Sequence, residues 1–322
     1  MIPNLENAAK RRIHLIINPR SGKGKTARKA DRVFLELDRL GIEFVPVFTE
    51  GPGHAVELVR SLDGDADAVI GLGGDGTINE IVNGVVGKDT AVGLIPSGTG
   101  NDFARLLGLR SIEDGISAVA AGREIILDRM SLEIECAGGS ALRRYCINTM
   151  GVGFDAAVAF RVAEYNRGSG ILPYLAAVYR TLWSYEAARS RVAWEGEAAD
   201  TGLFLATIGN GTTSGGGFVL SPHALPDDGL LDLCLVREVR KVRVIAILPK
   251  TFKGRHLTAT EVRYVRSPRF TIELERPLPV HADGELLTAA ALRISAAVEP
   301  RTVRVIARDG RAQGLSPVKR FA

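Results

Sequence analysis

The stretch Leu72-Gly73-Gly74-Asp75-Gly76-Thr77-Ile78-Asn79 limits the choice of fold more than any other. An apolar run, Asp67-Ala68-Val69-Ile70-Gly71, precedes it and reads as a buried strand, while the residues from Ile78 to Val86 place apolar side chains at helical spacing. A strand that ends in glycines and opens a helix gathers free backbone N–H groups and the positive end of a helix dipole at one point, where an anion binds well. Asp75 sits among those glycines. A carboxylate beside a phosphate repels it unless a cation lies between, so the stretch reads as a site for phosphate plus metal. The same letters also make a tight Asp-Gly turn, and the motif by itself does not choose between the two.

The surrounding chain favours binding. Arg12 to Asn18 is a strand of the buried kind, followed by a loop, Pro19-Arg20-Ser21-Gly22-Lys23-Gly24, and a helix over Ala27 to Leu40. Glu43 to Phe48 is a second strand leading to Thr49 and a helix from His54 to Leu62; Ala91 to Ile95 is a fourth strand, ending at Ser97-Gly98-Thr99-Gly100-Asn101-Asp102. Short helices over Phe103 to Leu107 and Ile112 to Ala121 follow. This alternation predicts a parallel, helix-covered sheet. In such sheets ligands sit at the carboxyl ends of the strands. Four successive strand ends, at Asn18 to Gly22, Thr49, Gly73 to Asn79 and Ser97 to Asp102, carry the small and polar residues of a binding rim. A P-loop is excluded, since the first glycine of that motif would fall at Pro19, and the dinucleotide G-x-G-x-x-G pattern does not follow the first strand. Lys23 and Lys25 still stand where cations reach a phosphate.

Beyond about residue 125 strand-like runs take over, at Ile125–Ile134, Tyr145–Met150, Arg191–Trp194, Leu203–Gly209, Leu230–Val236, Val262–Val265, Phe270–Leu274, Leu292–Ala297 and Val303–Ala307. Helix-like segments interrupt them at Asp155–Glu164, Pro173–Tyr185 and Val242–Leu248, and Arg311 to Ala322 reads as a frayed tail. A chain of 322 residues suggests two domains on a prior of about 150 residues each. Three scattered cysteines, Cys136, Cys146 and Cys234, supply neither a disulfide framework nor a zinc site, which points to a reducing, cytoplasmic setting. No apolar run approaches the about 18 residues that span a bilayer, and Met1 to Arg12 lacks the apolar middle of a signal peptide. The net charge of +4 is unevenly spread: ten basic residues and two acidic ones, Glu238 and Glu261, lie between Arg237 and Arg269. Such a segment is a solvated face or a surface for anionic partners.

The second half offers three candidate sites. Asn210-Gly211 with Ser214-Gly215-Gly216-Gly217-Phe218 is a loop at a strand end. Ala224-Leu225-Pro226-Asp227-Asp228-Gly229-Leu230 puts adjacent carboxylates on a turn, readable as a cation site or as an Asp-Gly turn. His281-Ala282-Asp283-Gly284-Glu285 is a second such turn, with Glu285 projecting from its end as a surface carboxylate or a general base.

Taken in order, Asn18-Pro19-Arg20-Ser21-Gly22, Gly73 to Asn79, Gly98-Thr99-Gly100-Asn101-Asp102-Phe103-Ala104, Asn148 with Gly151-Val152-Gly153-Phe154-Asp155, Gly215 to Phe218, Asp228 to Asp232 and Asp283-Gly284-Glu285 resemble the diacylglycerol-kinase-type lipid kinases, especially the soluble bacterial members. The resemblance spans about Arg11 to Ala307. It implies an α/β nucleotide-binding domain with a parallel sheet over 1–128, a β-rich, sandwich-like lipid and metal domain over 129–300, and a final strand plus tail over 301–322 that returns to the first domain. The active site would be the cleft between domains. ATP would be held by Asn18, Pro19, Arg20, Ser21, Gly22, Thr49, Gly73, Gly74, Asp75, Gly76, Thr77, Ile78, Asn79 and Thr99. Mg²⁺ would be held by Asp228 with the main-chain oxygens of Leu225 and Leu230. Glu285 would accept the proton and Asp75 would join the metal network through water, with Lys23 and Arg28 nearby. The implied reaction is transfer of phosphate from ATP to the hydroxyl of a neutral lipid, 1,2-diacylglycerol first, with a sphingoid base, another lipid or NAD as alternatives within the architecture. A non-catalytic nucleotide- or membrane-binding module is the alternative of another class. The implied partners are the lipid and an anionic membrane surface at the inner membrane face, touched peripherally, and no nucleic acid; a homodimer stays open.

Overall fold

A parallel sheet can form only if each strand is followed by a segment long enough to cross back, and the first part of the chain supplies four such pairs. The computed structural model describes residues 11–62, 66–165 and 171–308. It divides into two compact units, one of 1–128 with 300–322 and one of 129–299. In the first, strands β1 (Ile13–Ile17), β2 (Phe44–Phe48), β3 (Ala68–Gly73) and β4 (Ala91–Pro96) alternate with helices α1 (Lys25–Arg39), α2 (His54–Ser61) and α3 (Asp75–Gly84). Two further helices, α4 (Asp102–Leu106) and α5 (Ile112–Ala121), follow β4. The strands lie in the order β4-β3-β1-β2, all parallel. Leu15, Ile16, Ile17, Ile70, Leu72, Leu94 and Ile95 are fully buried, as expected of strands covered on both faces. β2 is the edge, and it tolerates Pro46 for that reason. Helix α1 presents Ala30, Val33 and Leu37 to the core, whereas Leu40 lies past its end and is exposed.

The second unit is antiparallel. Strand β5 (Glu124–Cys136), which begins in the first unit, pairs with β6 (Ala141–Cys146); β7 (Thr149–Gly153) leads into helices α6 (Phe154–Tyr165) and α7 (Ile171–Ser184). Then come β8 (Ala188–Trp194), β9 (Glu197–Gly209), a small hairpin of β10 (Thr213–Ser214) and β11 (Phe218–Val219), and β12 (Leu231–Arg237). Helix α8 (Lys241–Thr251), β13 (Val262–Ser267), β14 (Arg269–Ala282) and β15 (Glu285–Ile306) complete the chain. The main strand order is β13-β12-β9-β7-β14-β15, with β8 bridging β9 and β14. One core gathers Val192, Phe270, Ile272 and Ile294; a second, beneath the helices, gathers Phe154, Val178, Leu182, Phe204 and Val244, with Phe154 and Phe204 stacked at 4.6 Å.

Three expectations change. The single strand expected over Tyr145–Met150 is two strands, β6 and β7, because the amides of Ile147, Asn148 and Thr149 turn to the Asp283 carboxylate instead of to a ladder. The segments Leu292–Ala297 and Val303–Ala307 belong to one strand, β15, which pairs with β14 along its first part and with β4 at Val305. It passes Arg301 at φ +53°, a bend held by the Asp128 carboxylate accepting the Arg301 N–H at 2.7 Å. Strand β14 runs on past Leu274 to Ala282, absorbing two prolines through register shifts. The tail expected at Arg311–Ala322 and the leader reading at 1–10 lie outside the described residues.

Candidate active site

Because β1 to β4 are parallel, their carboxyl ends fall on one edge of the first unit's sheet. The loops there interlock. Asn18 donates through Nδ2 to Thr77 Oγ1 at 3.2 Å, and its Oδ1 accepts the Arg20 N–H at 3.0 Å. The Thr26 hydroxyl lies 2.7 Å from Ser97 Oγ and 3.0 Å from the Ser21 carbonyl oxygen. Ser97 N–H donates to the Gly73 carbonyl at 2.7 Å, and Thr49 N–H donates to that of Ile17 at 2.8 Å. Two glycines are required by contact. A Cβ at Gly98 would stand 2.6 Å from the Gly74 Cα, and one at Gly22, where φ is +57°, would stand 2.3 Å from the Ser97 carbonyl oxygen. The loops after β1, β3 and β4 therefore touch backbone to backbone.

The rim's charge suits anions. Arg20, Lys23, Lys25 and Arg28 are exposed and make no ion pair among the described residues. Thr99 is exposed at the tip of its loop, and Gly74, Asp75 and Gly76 are half-buried at the start of α3. Asp75 Oδ1 accepts the Phe103 N–H at 2.9 Å, which ties α3 to α4. Glu80, also on α3, accepts the N–H groups of Gly53 and Ala55 at 3.0 Å each, so the amino end of α2 is already satisfied by a carboxylate. Two of the residues expected to contact the nucleotide lie beneath the rim's surface. Ile78 is 0% exposed, with its side chain in the core and its N–H donated to the Gly74 carbonyl at 3.2 Å. Asn79 is buried, and its Oδ1 accepts from Asn83 Nδ2 at 3.2 Å. Both support the rim from behind.

In the second unit Asp283 and Gly284 form a two-residue hairpin turn between β14 and β15, at φ +47° and +81°. Left-handed conformation at both central residues is what such turns need, and Asp-Gly supplies it. Asp283 is 3% exposed, and its carboxylate accepts the N–H groups of Ile147, Asn148 and Thr149 at 2.8 to 3.0 Å and the Cys146 thiol at 2.9 Å. Burial, followed by the Asp283 charge, pushes the Cys146 thiol far up in pKa, so it stays protonated and donates. The turn is thus bolted to the β6–β7 corner, and Glu285 follows directly. Its Oε1 accepts from Arg144 Nη2 at 2.9 Å, and its Oε2 is buried with no hydrogen-bond partner. A clamped carboxylate with one oxygen left over is suited to taking a proton from a hydroxyl brought to that oxygen. Next to it, His281 Nε2 stands 3.2 Å from Asp155 Oδ2, which also accepts from Thr207 Oγ1 at 3.2 Å.

The expected metal loop is arranged differently. Asp228 Oδ1 accepts the Leu230 N–H at 3.0 Å, and Oδ2 is paired with the Arg266 guanidinium, whose Nε also reaches Asp232 Oδ1 at 3.2 Å. Burial raises the pKa of Asp232, against the lowering effect of Tyr264 Oη, which donates at 2.8 Å, and of Arg266. Arg266 already neutralises the Asp228 carboxylate. A cation held by Asp228 with the main-chain oxygens of Leu225 and Leu230 would share that carboxylate with Arg266, and no group of three His, Cys, Asp or Glu side chains among the described residues stands together as a further metal site. Asp75 does fit a magnesium ion carried in by phosphates: it is a hard oxygen donor at the opening of a helix, on a rim with cations for the remaining charge. Arg144, Arg266 and Thr26 carry no signal in the sequence that places them in a site. Each acts through a contact distant in the chain, which no local pattern announces.

Residues 12–132 match the family model of the diacylglycerol kinase catalytic domain, and residues 148–307 match that of the YegS C-terminal NAD kinase beta sandwich-like domain. A diacylglycerol kinase of Staphylococcus haemolyticus is 32% identical over 286 residues, covering 84% of this chain and 81% of that one. A diacylglycerol kinase of Mycobacterium tuberculosis is 28% identical over 292 residues, covering 88% and 92%. The crystal structure of a diacylglycerol kinase from Bacillus anthracis superposes with a TM-score of 0.67 at 18% identity, over 93% of this chain and 97% of that one, and so shares the fold. With a rim for anions in its α/β unit and a clamped carboxylate in its β-rich unit, the chain belongs to the diacylglycerol kinase family of lipid kinases.

Proposed function

We propose that the protein transfers the γ-phosphoryl group of ATP, with Mg²⁺, to the hydroxyl of a neutral lipid, most directly 1,2-diacylglycerol, giving phosphatidic acid and ADP. The observation that carries this reading is Glu285: one carboxylate oxygen held by Arg144, the other buried and unpartnered. Phosphoryl transfer asks chiefly for positioning and for neutralised charge. The amides around Gly73 to Thr77, the interlocked loops at Ser21 and Ser97, and Arg20, Lys23, Lys25 and Arg28 would hold and screen the triphosphate. Asp75 would help hold a magnesium ion that, when bound, would supply charge neutralisation for the phosphates. The acceptor O–H donates to Glu285 Oε2; as its oxygen bonds to the γ-phosphorus, the proton passes to Oε2 and the bond to the ADP oxygen breaks. Membrane-lipid relatives support the choice of acceptor, since the matched proteins are named diacylglycerol kinases.

A second reading, NAD as the acceptor, is favoured by one observation, that the second unit matches a domain described as NAD kinase beta sandwich-like. Incubation of the full chain with labelled ATP and a panel of 1,2-diacylglycerol, a sphingoid base and NAD separates the readings. Label in phosphatidic acid is the expected result. Label in NADP instead would replace the lipid reading, and no label with any acceptor would return the protein to the class of binding modules.

A further inference from the structure

Helix α2, which follows β2, carries no cap of its own. Gly53 stands at its N-cap with φ +83° and has no side chain to offer the first amides. The acceptor comes from α3: Glu80 Oε1 takes the Gly53 N–H and Oε2 the Ala55 N–H, each at 3.0 Å. At the other end of α2, Lys88 Nζ donates to the carbonyls of Arg60, at 3.0 Å, and Leu62. Between these clamps the helices touch directly, since a Cβ at Gly84 would stand 2.6 Å from Val59 Cβ and 3.2 Å from the Val56 carbonyl oxygen. Helix α2 therefore rides on α3. The loop from Thr49 to Gly53 is held with it: Thr49 N–H donates to the Ile17 carbonyl at 2.8 Å, and Glu50 N–H to His54 Nδ1 at 3.0 Å. The opening of α3, meanwhile, is the Gly74-Asp75-Gly76 stretch of the rim. One helix thus carries the anion-binding amides on its first turn and, through a carboxylate on its second, the loop at the end of β2.

We infer that Glu80 is a positioning residue for the nucleoside end of the nucleotide: it sets the distance between the amides that take the phosphates and the Thr49 loop. The order β3-β1-β2 puts the end of β2 two strand spacings from that of β3, roughly 10 Å at about 4.8 Å per spacing. A phosphate on the α3 amides cannot reach that loop, whereas a nucleoside joined to it by a chain of phosphates can. On the opposite side of β3 the space is taken by backbone, because the Gly98 loop lies against Gly74. The Thr49 loop also has the wrong charge for phosphate. Its only ionisable side chain is the exposed Glu50, which repels anions and accepts hydrogen bonds from hydroxyls such as those of a ribose. Without Glu80 the two amides turn to water and α2 shifts with its loop, while the α3 amides keep their place. The inference rests on the reading of ATP as phosphate donor, but binding is measured apart from turnover.

The test is calorimetric titration of the full chain, in Mg²⁺, with ATP or with inorganic tripolyphosphate, which has the phosphates and no nucleoside. The wild type should bind ATP more tightly than tripolyphosphate. In Glu80→Gln an NH₂ donor replaces one oxygen and faces an N–H that it cannot accept, so ATP affinity should fall about tenfold. Tripolyphosphate affinity should stay at the wild-type value. Glu80→Asp keeps the charge but falls short in reach, and its ATP affinity should lie between the two. In steady-state assay Glu80→Gln should raise the KM for ATP about tenfold and leave kcat at saturating ATP near that of the wild type. Lys88→Met releases the far end of α2, and should lower the unfolding midpoint while leaving both affinities unchanged. Equal loss of ATP and tripolyphosphate affinity in Glu80→Gln, or loss of neither, would overturn the inference. So would a loss of ATP affinity in Lys88→Met as large as that in Glu80→Gln, because Glu80 would then serve only the fold. A wild type that binds ATP but labels no acceptor would sink the kinase reading and leave this assignment standing. A wild type that binds tripolyphosphate as tightly as ATP would overturn the assignment, whether or not lipid is labelled.

Discussion

The rim of the first unit and the Glu285 turn of the second are built on opposite principles. The rim is made by main chain: parallel strand ends, loop amides bonded to neighbouring carbonyls, and glycines such as Gly22 and Gly98 that let loops approach to distances no side chain would permit. The turn is made by side chains, with Asp283 gathering three amides and a thiol, and Arg144 holding Glu285. A main-chain device tolerates change in most side chains but not the addition of a Cβ. A side-chain device fails at single charged residues. That contrast sets how each region should break.

The largest effect is expected at Glu285. Glu285→Gln keeps the shape and removes the base, so turnover should fall about 10²- to 10⁴-fold, the range for a positioned general base; steady-state assay with labelled ATP checks this, and near-normal turnover would remove Glu285 from the role. Asp283→Ala should cost at least about 3 kcal/mol of stability, because buried donors lose their acceptor together. Denaturant unfolding measures it, and a change within error would mean that water replaces the carboxylate freely.

At Gly98, alanine should cost about 1–3 kcal/mol through overpacking against Gly74 and should weaken ATP binding. The same substitution at Gly76, where a Cβ meets nothing within 4 Å, is the matched control and should cost little stability. Arg144→Met should lower kcat about tenfold with little change in KM for ATP, since it loosens the base without touching the rim. An effect confined to the KM for ATP would mean that Arg144 serves the nucleotide.

These differences also explain what could be read in advance. The four strand ends were legible because each is local: an apolar run, then Gly, Asn, Thr or Asp, then helical periodicity. The glycine motif does not tell that the side chains of Ile78 and Asn79 are buried, since a string of letters does not say which side chains of a helix turn inward. The break between β6 and β7 was hidden, as the apolar run through Cys146-Ile147 is continuous and only Asp283, far along the chain, diverts its amides. The ion pair of Asp228 is equally hidden, because Arg266, its partner, lies on another strand.

The smallest expected effect is one of pH. His256 is buried against Cys234, with Nε2 3.4 Å from the sulfur, and burial lowers its pKa from 6.5. The unfolded chain then binds the proton more readily than the folded one, so stability is fully present above pH 6.5 and is lost as pH falls from there toward the folded-state pKa. His256→Gln should flatten that slope in urea unfolding across the window, and an unchanged slope would assign it to other groups. The Cys234 thiol, pushed up to about 12 by burial and then by the Asp155 charge, does not titrate there.

The division of labour between rim and turn is tested most directly by calorimetric titration of ATP with Mg²⁺ into two variants, Glu285→Gln and Gly98→Ala, each beside the wild type. Glu285→Gln is expected to bind the nucleotide as the wild type does while turning over about 10²- to 10⁴-fold more slowly, and Gly98→Ala to lose affinity. Wild-type affinity in Gly98→Ala together with lost affinity in Glu285→Gln would contradict the account, because the nucleotide would then depend on the side-chain device and not on the main-chain rim.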